Sequence, residues 1–119
     1  MLTSDEVEAG SDLRIDRAAW EVQLGGATVE LTKTEFLLLL ALAERPRQVV
    51  TTDELTRIVW GEKWFGDDGN VAVHVSKLRR KLGESGSTPR FIATVRGVGY
   101  RFEARHVWSD GSTVAGDGR

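Results

Sequence analysis

Asn70, Val73, His74, Lys77, Arg80 and Lys81 fall at spacings that gather most of them on one side of a helix, and their side chains suit a nucleic-acid surface. The Asn70 amide can pair in bidentate fashion with adenine, and the Lys77 ammonium can donate to the acceptors of guanine. Val73 is a β-branched apolar residue set among cations, ill-suited to water but well suited to a thymine methyl group. Arg80 and Lys81 lie further along, where phosphate contacts are the better match, and His74 sits on the flank. Plainer readings stand beside these. Val73 alone is as often a packing residue, His74 alone is more often a helix-surface residue, and the cations alone could be a solvated face. The set says more than any member.

Two elements must position these groups. At 100° per residue, Val71, Val75, Leu78 and Leu82 lie within about 60° of one another, a core stripe opposite Val73, Lys77 and Arg80. Residues 91–95 and 100–102 are β-rich and aromatic, and Arg96-Gly97-Val98-Gly99 between them forms a hairpin turn, with two glycines supplied for positive φ. An arginine held at such a turn can enter a minor groove, where narrow A·T tracts concentrate negative potential. The alternative is an ordinary surface hairpin. The Gly-Val-Gly is not a phosphate loop, because it lacks the spacing and the following helix.

The remaining chain supplies the frame. Leu13 and Ile15, then Trp20, Val22 and Leu24, then Val29 and Leu31 alternate with polar residues, with a turn at Gly25-Gly26; this predicts a meander of about three short strands. Thr32-Lys33-Thr34-Glu35 matches a capping box before the apolar run 36–43, a largely buried helix that Pro46 stops. Val49-Val50 is a short extended piece. Thr51-Thr52-Asp53-Glu54 is a second capping box, opening a helix with Leu55, Ile58 and Val59 facing inward and ending near Trp60-Gly61. Residues 1–11 read as a linker or flexible N-terminus, 12–104 as one folded domain, and 105–119 as a flexible Gly/Ser/Asp-rich tail.

Composition removes several classes. With 119 residues the chain suits one domain with a modest core. It has no cysteine, which excludes disulfides, thiolate zinc sites and a cysteine nucleophile. Two histidines and no convergent carboxylate pair leave little for catalysis or metal binding, so no enzyme activity, cofactor or metal site is expected. The start lacks the pattern of a secretory signal and the longest apolar run is too short to span a bilayer, so a cytoplasmic protein without membrane contact is expected. The net charge of −2 hides an asymmetry: residues 71–102 hold seven Lys/Arg against one Asp/Glu, while residues 1–70 hold seven against fourteen. Local charge, not the mean, marks a nucleic-acid face.

The motifs LTKTEFLLLLAL, TTDEL, VWG, VHVSKLRRKLGE and TVRGVGYRF, in this order and spacing, resemble the OmpR/PhoB-type winged-helix effector domain of bacterial two-component response regulators, over roughly residues 12–104. The resemblance implies an α+β winged helix-turn-helix fold: a four-stranded N-terminal antiparallel sheet, three helices and a C-terminal hairpin wing. It implies a recognition helix at about 69–83 in the major groove and Arg96 in the minor groove. Thr94 joins Arg96 at wing positions, and Trp60 with Thr51 and Thr52 matches backbone-contacting places. It further implies sequence-specific binding of double-stranded DNA as a homodimer on repeated half-sites about one helical turn apart. A loop at about 61–69, with Glu62, Lys63, Trp64 and Phe65, would contact RNA polymerase. A receiver domain and a sensor histidine kinase belong to the full-length system, so the chain reads as an excised effector domain. Three positions depart from the family pattern: Gly69 replaces a basic residue, Ala72 an aspartate, and Arg47 a glycine.

A sequence-specific regulator with roughly six to eight phosphate contacts would lose affinity with a log–log salt slope of roughly −5 to −7. A winged helix used chiefly for protein contacts through Trp64 and Phe65 is the competing reading, and weak, salt-insensitive DNA binding would favour it.

Overall fold

The computed structural model describes residues 13–61, 69–84, 90–104 and 107–108 of the chain. Alternating burial builds the first sheet. Leu13 and Ile15 of β1 (Leu13–Asp16) and Val22 of β2 (Glu21–Leu24) are buried, while Arg14, Glu21 and Gln23 face out. β1 and β2 pair antiparallel, and β3 (Ala27–Thr28) joins β2 after a turn in which Gly25 and Gly26 both take positive φ. Among the described residues this sheet has three strands of its own, so the meander is present and the fourth N-terminal strand implied by the resemblance is not. Val29 still donates its N–H to the Val22 carbonyl at 2.8 Å, but Val29 and Leu31 then pack on the core as partly buried residues.

Both predicted capping boxes form. The Thr32 hydroxyl accepts from the Glu35 N–H at 3.2 Å, and the Glu35 carboxylate accepts from the Thr32 N–H at 2.9 Å. They open α1 (Lys33–Ala43), which is buried at Phe36, Leu38, Leu39, Ala41, Leu42 and Ala43, nearly all round its circumference. α1 packs against the second and third helices and the last strand. β4 (Val49–Thr51) leads into α2 (Thr52–Trp60), capped by the matching pair of bonds between Thr51 and Glu54 at 3.1 and 2.9 Å. Gly61 ends α2 at φ 93°, donating its N–H to the Arg57 carbonyl at 2.9 Å. Leu55 is fully buried and Val59 partly so, but Ile58 is 47% exposed, against expectation. From Leu55, Val59 lies about 40° round the helix and Ile58 about 60° the other way, and this nine-residue helix is covered on the Val59 side.

α3 (Gly69–Lys81) buries the expected stripe: Val71, Val75, Leu78 and the following Leu82 are each at most 1% exposed. The chain returns through β5 (Ile92–Val95) and β6 (Gly99–Phe102). The second sheet has the order β4-β6-β5, antiparallel throughout, so β5 is an edge strand.

Two segments differ from expectation. Val107 is buried, its carbonyl accepts from the Ile15 N–H at 2.6 Å, and Trp108 forms a parallel bridge with Ile15. The Arg17 guanidinium lies 4.2 Å from the centre of the Trp108 ring. Residues 107–108 are therefore docked, not part of a flexible tail beginning at 105, because they cover an edge of β1 that would otherwise present unpaired groups. Arg47, at the position where the family pattern has glycine, takes φ 68°, with its N–H on the Phe102 carbonyl at 2.8 Å and its guanidinium on Glu103 at 3.0 Å.

A left-handed conformation costs a residue with a Cβ about 1–2 kcal/mol, and the partly exposed Arg47–Glu103 pair returns at most about 1. Arg47→Gly should therefore raise stability by about 0.5–1 kcal/mol, read as a higher urea midpoint. A lower midpoint would show that the ion pair outweighs the relief of strain.

Candidate nucleic-acid interface

The core stripe of α3 decides what its other face presents. Val73 is 51% exposed, and Lys77 and Arg80 are exposed beside it. Among the described residues neither cation has an ion-pair partner. Ala72, in the first turns of the helix, lines an open groove of about 630 Å³ together with Thr51, Thr52 and Asp53 at the start of α2 and Thr94, Val95 and Gly97 to Tyr100 of the wing. One groove thus brings together the start of α2, α3 and the hairpin. Asn70 falls in the first turn of α3, and its side chain lies outside the described residues, as do Glu62, Lys63, Trp64 and Phe65.

The wing turn is closed by a bond from the Val98 N–H to the Val95 carbonyl at 2.9 Å, with the exposed Arg96 at the first corner and Gly97 at the second. Gly97 takes φ 78°, which the third residue of a type II turn requires. Gly99 does something other than expected. It has no positive φ; instead, a Cβ there would overlap the Val50 carbonyl oxygen and lie 2.7 Å from the Thr51 Cα. Only glycine lets β6 approach β4 this closely. The Thr52 N–H also donates to the Val98 carbonyl at 3.2 Å, which ties the start of α2 to the wing.

Other expected contacts are placed less simply. His74 is half-buried, its ring edge-on to Trp60 at 5.4 Å between centroids, so these two join the end of α2 to α3. The Thr51 hydroxyl is committed to the helix cap: it accepts from the Glu54 N–H and donates to the Glu54 carboxylate at 3.2 Å. Lys81, expected at a phosphate, has a partner inside the domain: its Nζ lies 2.7 Å from the carboxylate of Glu35, whose side chain is 3% exposed, so Lys81 neutralises a buried acid. Burial pushes the Glu35 carboxyl up, but the bonds from Lys81 and Thr32 outweigh it and hold the group below its ordinary value.

Sequence reasoning passed over Arg79 and Glu84. The Glu84 carboxylate accepts from the N–H groups of Arg90, Phe91 and Ile92 at 2.7, 2.6 and 2.9 Å. Arg79 donates through Nε and Nη2 to the Ile92 carbonyl at 3.1 and 2.8 Å, and through Nη2 to the Thr94 hydroxyl at 2.7 Å. Together they satisfy the outward backbone groups at the start of β5, the N–H and carbonyl of Ile92. The only sequence signal was that Glu84 is the single acid between 71 and 102.

The basic helix and the arginine-tipped hairpin flank one groove, and the chain carrying them is similar to proteins of known kind. Residues 26–102 match the family described as the transcriptional regulatory protein C-terminal domain. The chain belongs to the OmpR/PhoB-type family of transcription-regulator DNA-binding domains. AfsQ1, a transcriptional regulatory protein of Streptomyces coelicolor, is 43% identical over 101 residues, 85% of this chain and 44% of AfsQ1. The DNA-binding response regulator MtrA of Mycobacterium tuberculosis is 45% identical over 91 residues, 76% of this chain and 40% of MtrA. The chain thus spans about two-fifths of the length of these relatives. The RstA DNA-binding domain of Klebsiella pneumoniae, solved in complex with the RstA box, superposes with a TM-score of 0.73 at 36% identity, covering 82% of this chain and 95% of that one. These winged-helix domains share the three helices and two antiparallel sheets described above.

Because the folded-state carboxyl of Glu35 is depressed, its contribution to stability is present above the unfolded value and lost as pH falls through the folded one. Lys81→Met should therefore destabilise the domain at neutral pH. The deficit against the wild type should shrink below about pH 4.3, the ordinary glutamate value. Urea melts across pH 3–7 would check this; a pH-independent deficit would assign the loss to packing of the lysine stem.

Proposed function

We propose that this domain binds double-stranded DNA sequence-specifically, with α3 in the major groove and the wing in the adjacent minor groove. The observation that carries the reading is the division of the seven cations in residues 71–102. Arg79, Lys81 and Arg101 bond within the domain, and Arg90 lies over Phe91. Lys77, Arg80 and Arg96 remain exposed, without ion partners among the described residues. Those three, with Val73, are the residues that the helix wheel and the turn chemistry direct outward. Arg80 suits a phosphate, Lys77 a guanine edge, Val73 a thymine methyl and Arg96 a narrow A·T minor groove.

On this reading the domain is the output half of a cytoplasmic two-component regulator. A receiver domain and a sensor histidine kinase supply the signal, and the segment at about 61–69, with Glu62, Lys63, Trp64 and Phe65, contacts RNA polymerase. Two copies occupy repeated half-sites about one helical turn apart. The names of the relatives, which include a DNA-binding response regulator, and the RstA complex support this assignment. Lys77, Arg80 and Arg96, each bringing one positive charge to the duplex, predict a salt slope no steeper than about −3 for one domain and about −5 for a pair, the shallow end of the range expected from the sequence.

Selection of bound duplexes from a randomised library, followed by anisotropy titration of the winners, tests the proposal. An enriched repeated motif bound with that slope is the expected result; no motif, with weak salt-insensitive binding, would sink it. With the selected duplex, Lys77→Ala should cost about 1–3 kcal/mol at one base step, whereas an equal loss on every sequence would make Lys77 a phosphate contact. Arg96→Ala should weaken binding and relax the A·T preference under the wing; unchanged binding would remove Arg96 from the minor groove.

A further inference from the structure

Arg79 has the type and place of a phosphate ligand, on α3 between Leu78 and Arg80, yet its guanidinium is directed at the wing. Three donor contacts reach two acceptors on the outer edge of β5: the Ile92 carbonyl twice and the Thr94 hydroxyl once. The guanidinium carbon lies over the Tyr100 ring, 5.7 Å from its centroid. A planar fork can hold this arrangement rigidly; a lysine ammonium on a flexible stem cannot.

The consequence falls on Thr94. A hydroxyl has one proton and two lone pairs. At 2.7 Å the Arg79 N–H occupies a lone pair of Oγ1, so the Thr94 proton must point elsewhere. Thr94 is exposed and lines the groove shared by the start of α2, α3 and the wing. Accepting a bond from a cation also polarises the hydroxyl and makes it a stronger donor.

Resting on the DNA-binding reading above, we propose that Arg79 is a positioning residue: it sets the wing against the recognition helix and orients the Thr94 hydroxyl as a donor to a backbone phosphate. Arg79 itself touches no phosphate.

The test uses the full chain and the selected duplex, with anisotropy titrations at several salt concentrations. The proteins are wild type, Arg79→Gln, Arg79→Lys, Thr94→Val, Thr94→Ser, the Gln/Val double variant and Arg80→Gln. Arg79→Gln and Thr94→Val should each weaken binding about tenfold, the worth of one hydrogen bond to a charged group, and the double variant should lose no more than the weaker single. Arg79→Lys should not restore affinity, and Thr94→Ser, which keeps the hydroxyl, should. The salt slope of Arg79→Gln should equal that of the wild type, while Arg80→Gln should lower it by about one. On a duplex with neutral methylphosphonates under the wing, Thr94→Val should bind as the wild type does. A slope lowered by about one for Arg79→Gln would make Arg79 a direct phosphate ligand and overturn the proposal. Additive losses, or wild-type affinity in Arg79→Gln, would also overturn it. Thermal melts accompany each variant; should Arg79→Gln not fold, equal affinities for Thr94→Val and wild type would still refute the proposal. If the wild type itself selects no duplex, the DNA-binding assignment fails first and this inference with it.

Discussion

Burial of one stripe on α3 governs the rest of the molecule. Val71, Val75, Leu78 and Leu82 are removed from water almost completely. At about 1.5–3 kcal/mol each, their burial is worth at most about 6–12 kcal/mol, comparable to the whole net stability of a small domain. Turning the helix by one residue would lose most of that. The orientation is therefore not adjustable, and Val73, Lys77 and Arg80 face out because the stripe faces in. α1 supplies the other side of this contact and carries almost no outward face of its own.

Charge works locally here. A chain with net charge −2 does not as a whole attract a polyanion. Within it, the basic segment 71–102 divides its cations between two tasks. Lys81 stabilises a buried carboxylate, while Arg79 and Arg101 fasten backbone or neighbouring acids, and a smaller number face solvent. Counting basic residues therefore overstates the charge available to an outside partner. The acids do similar work: Glu35, Glu54 and Glu84 all accept backbone N–H groups.

What was legible in the sequence was what is local. Each capping box spans four residues, so Thr32–Glu35 and Thr51–Glu54 could be read directly and both form. The α3 stripe is a repeat within one helix, and the Gly97 turn lies between adjacent strands. What was not legible joins distant residues. The partner of Lys81 is Glu35, 46 residues earlier. Gly99 is glycine because β4 passes alongside, and Val107 is buried because β1 needs an edge partner. Ile58 was misjudged because a helical wheel gives angles, not the width of the covered stripe. The role of Arg79 carries no local signal because the Ile92 carbonyl that it satisfies lies 13 residues on. The faces that α3 and the wing turn outward are therefore readable, and the bonding of individual cations within them is not.

The two-residue bridge of Val107–Trp108 to β1 has a practical bearing on where this fold can be cut. The family match ends at residue 102, before that bridge. A fragment that keeps β1 but ends at residue 102 would leave Ile15 with an unanswered amide and bare the apolar ground beneath Val107. Unpaired strand edges of this kind invite a neighbouring molecule to complete the sheet. Such a fragment would be prone to clump along β1, through a seam that Val107 and Trp108 keep closed in the intact chain.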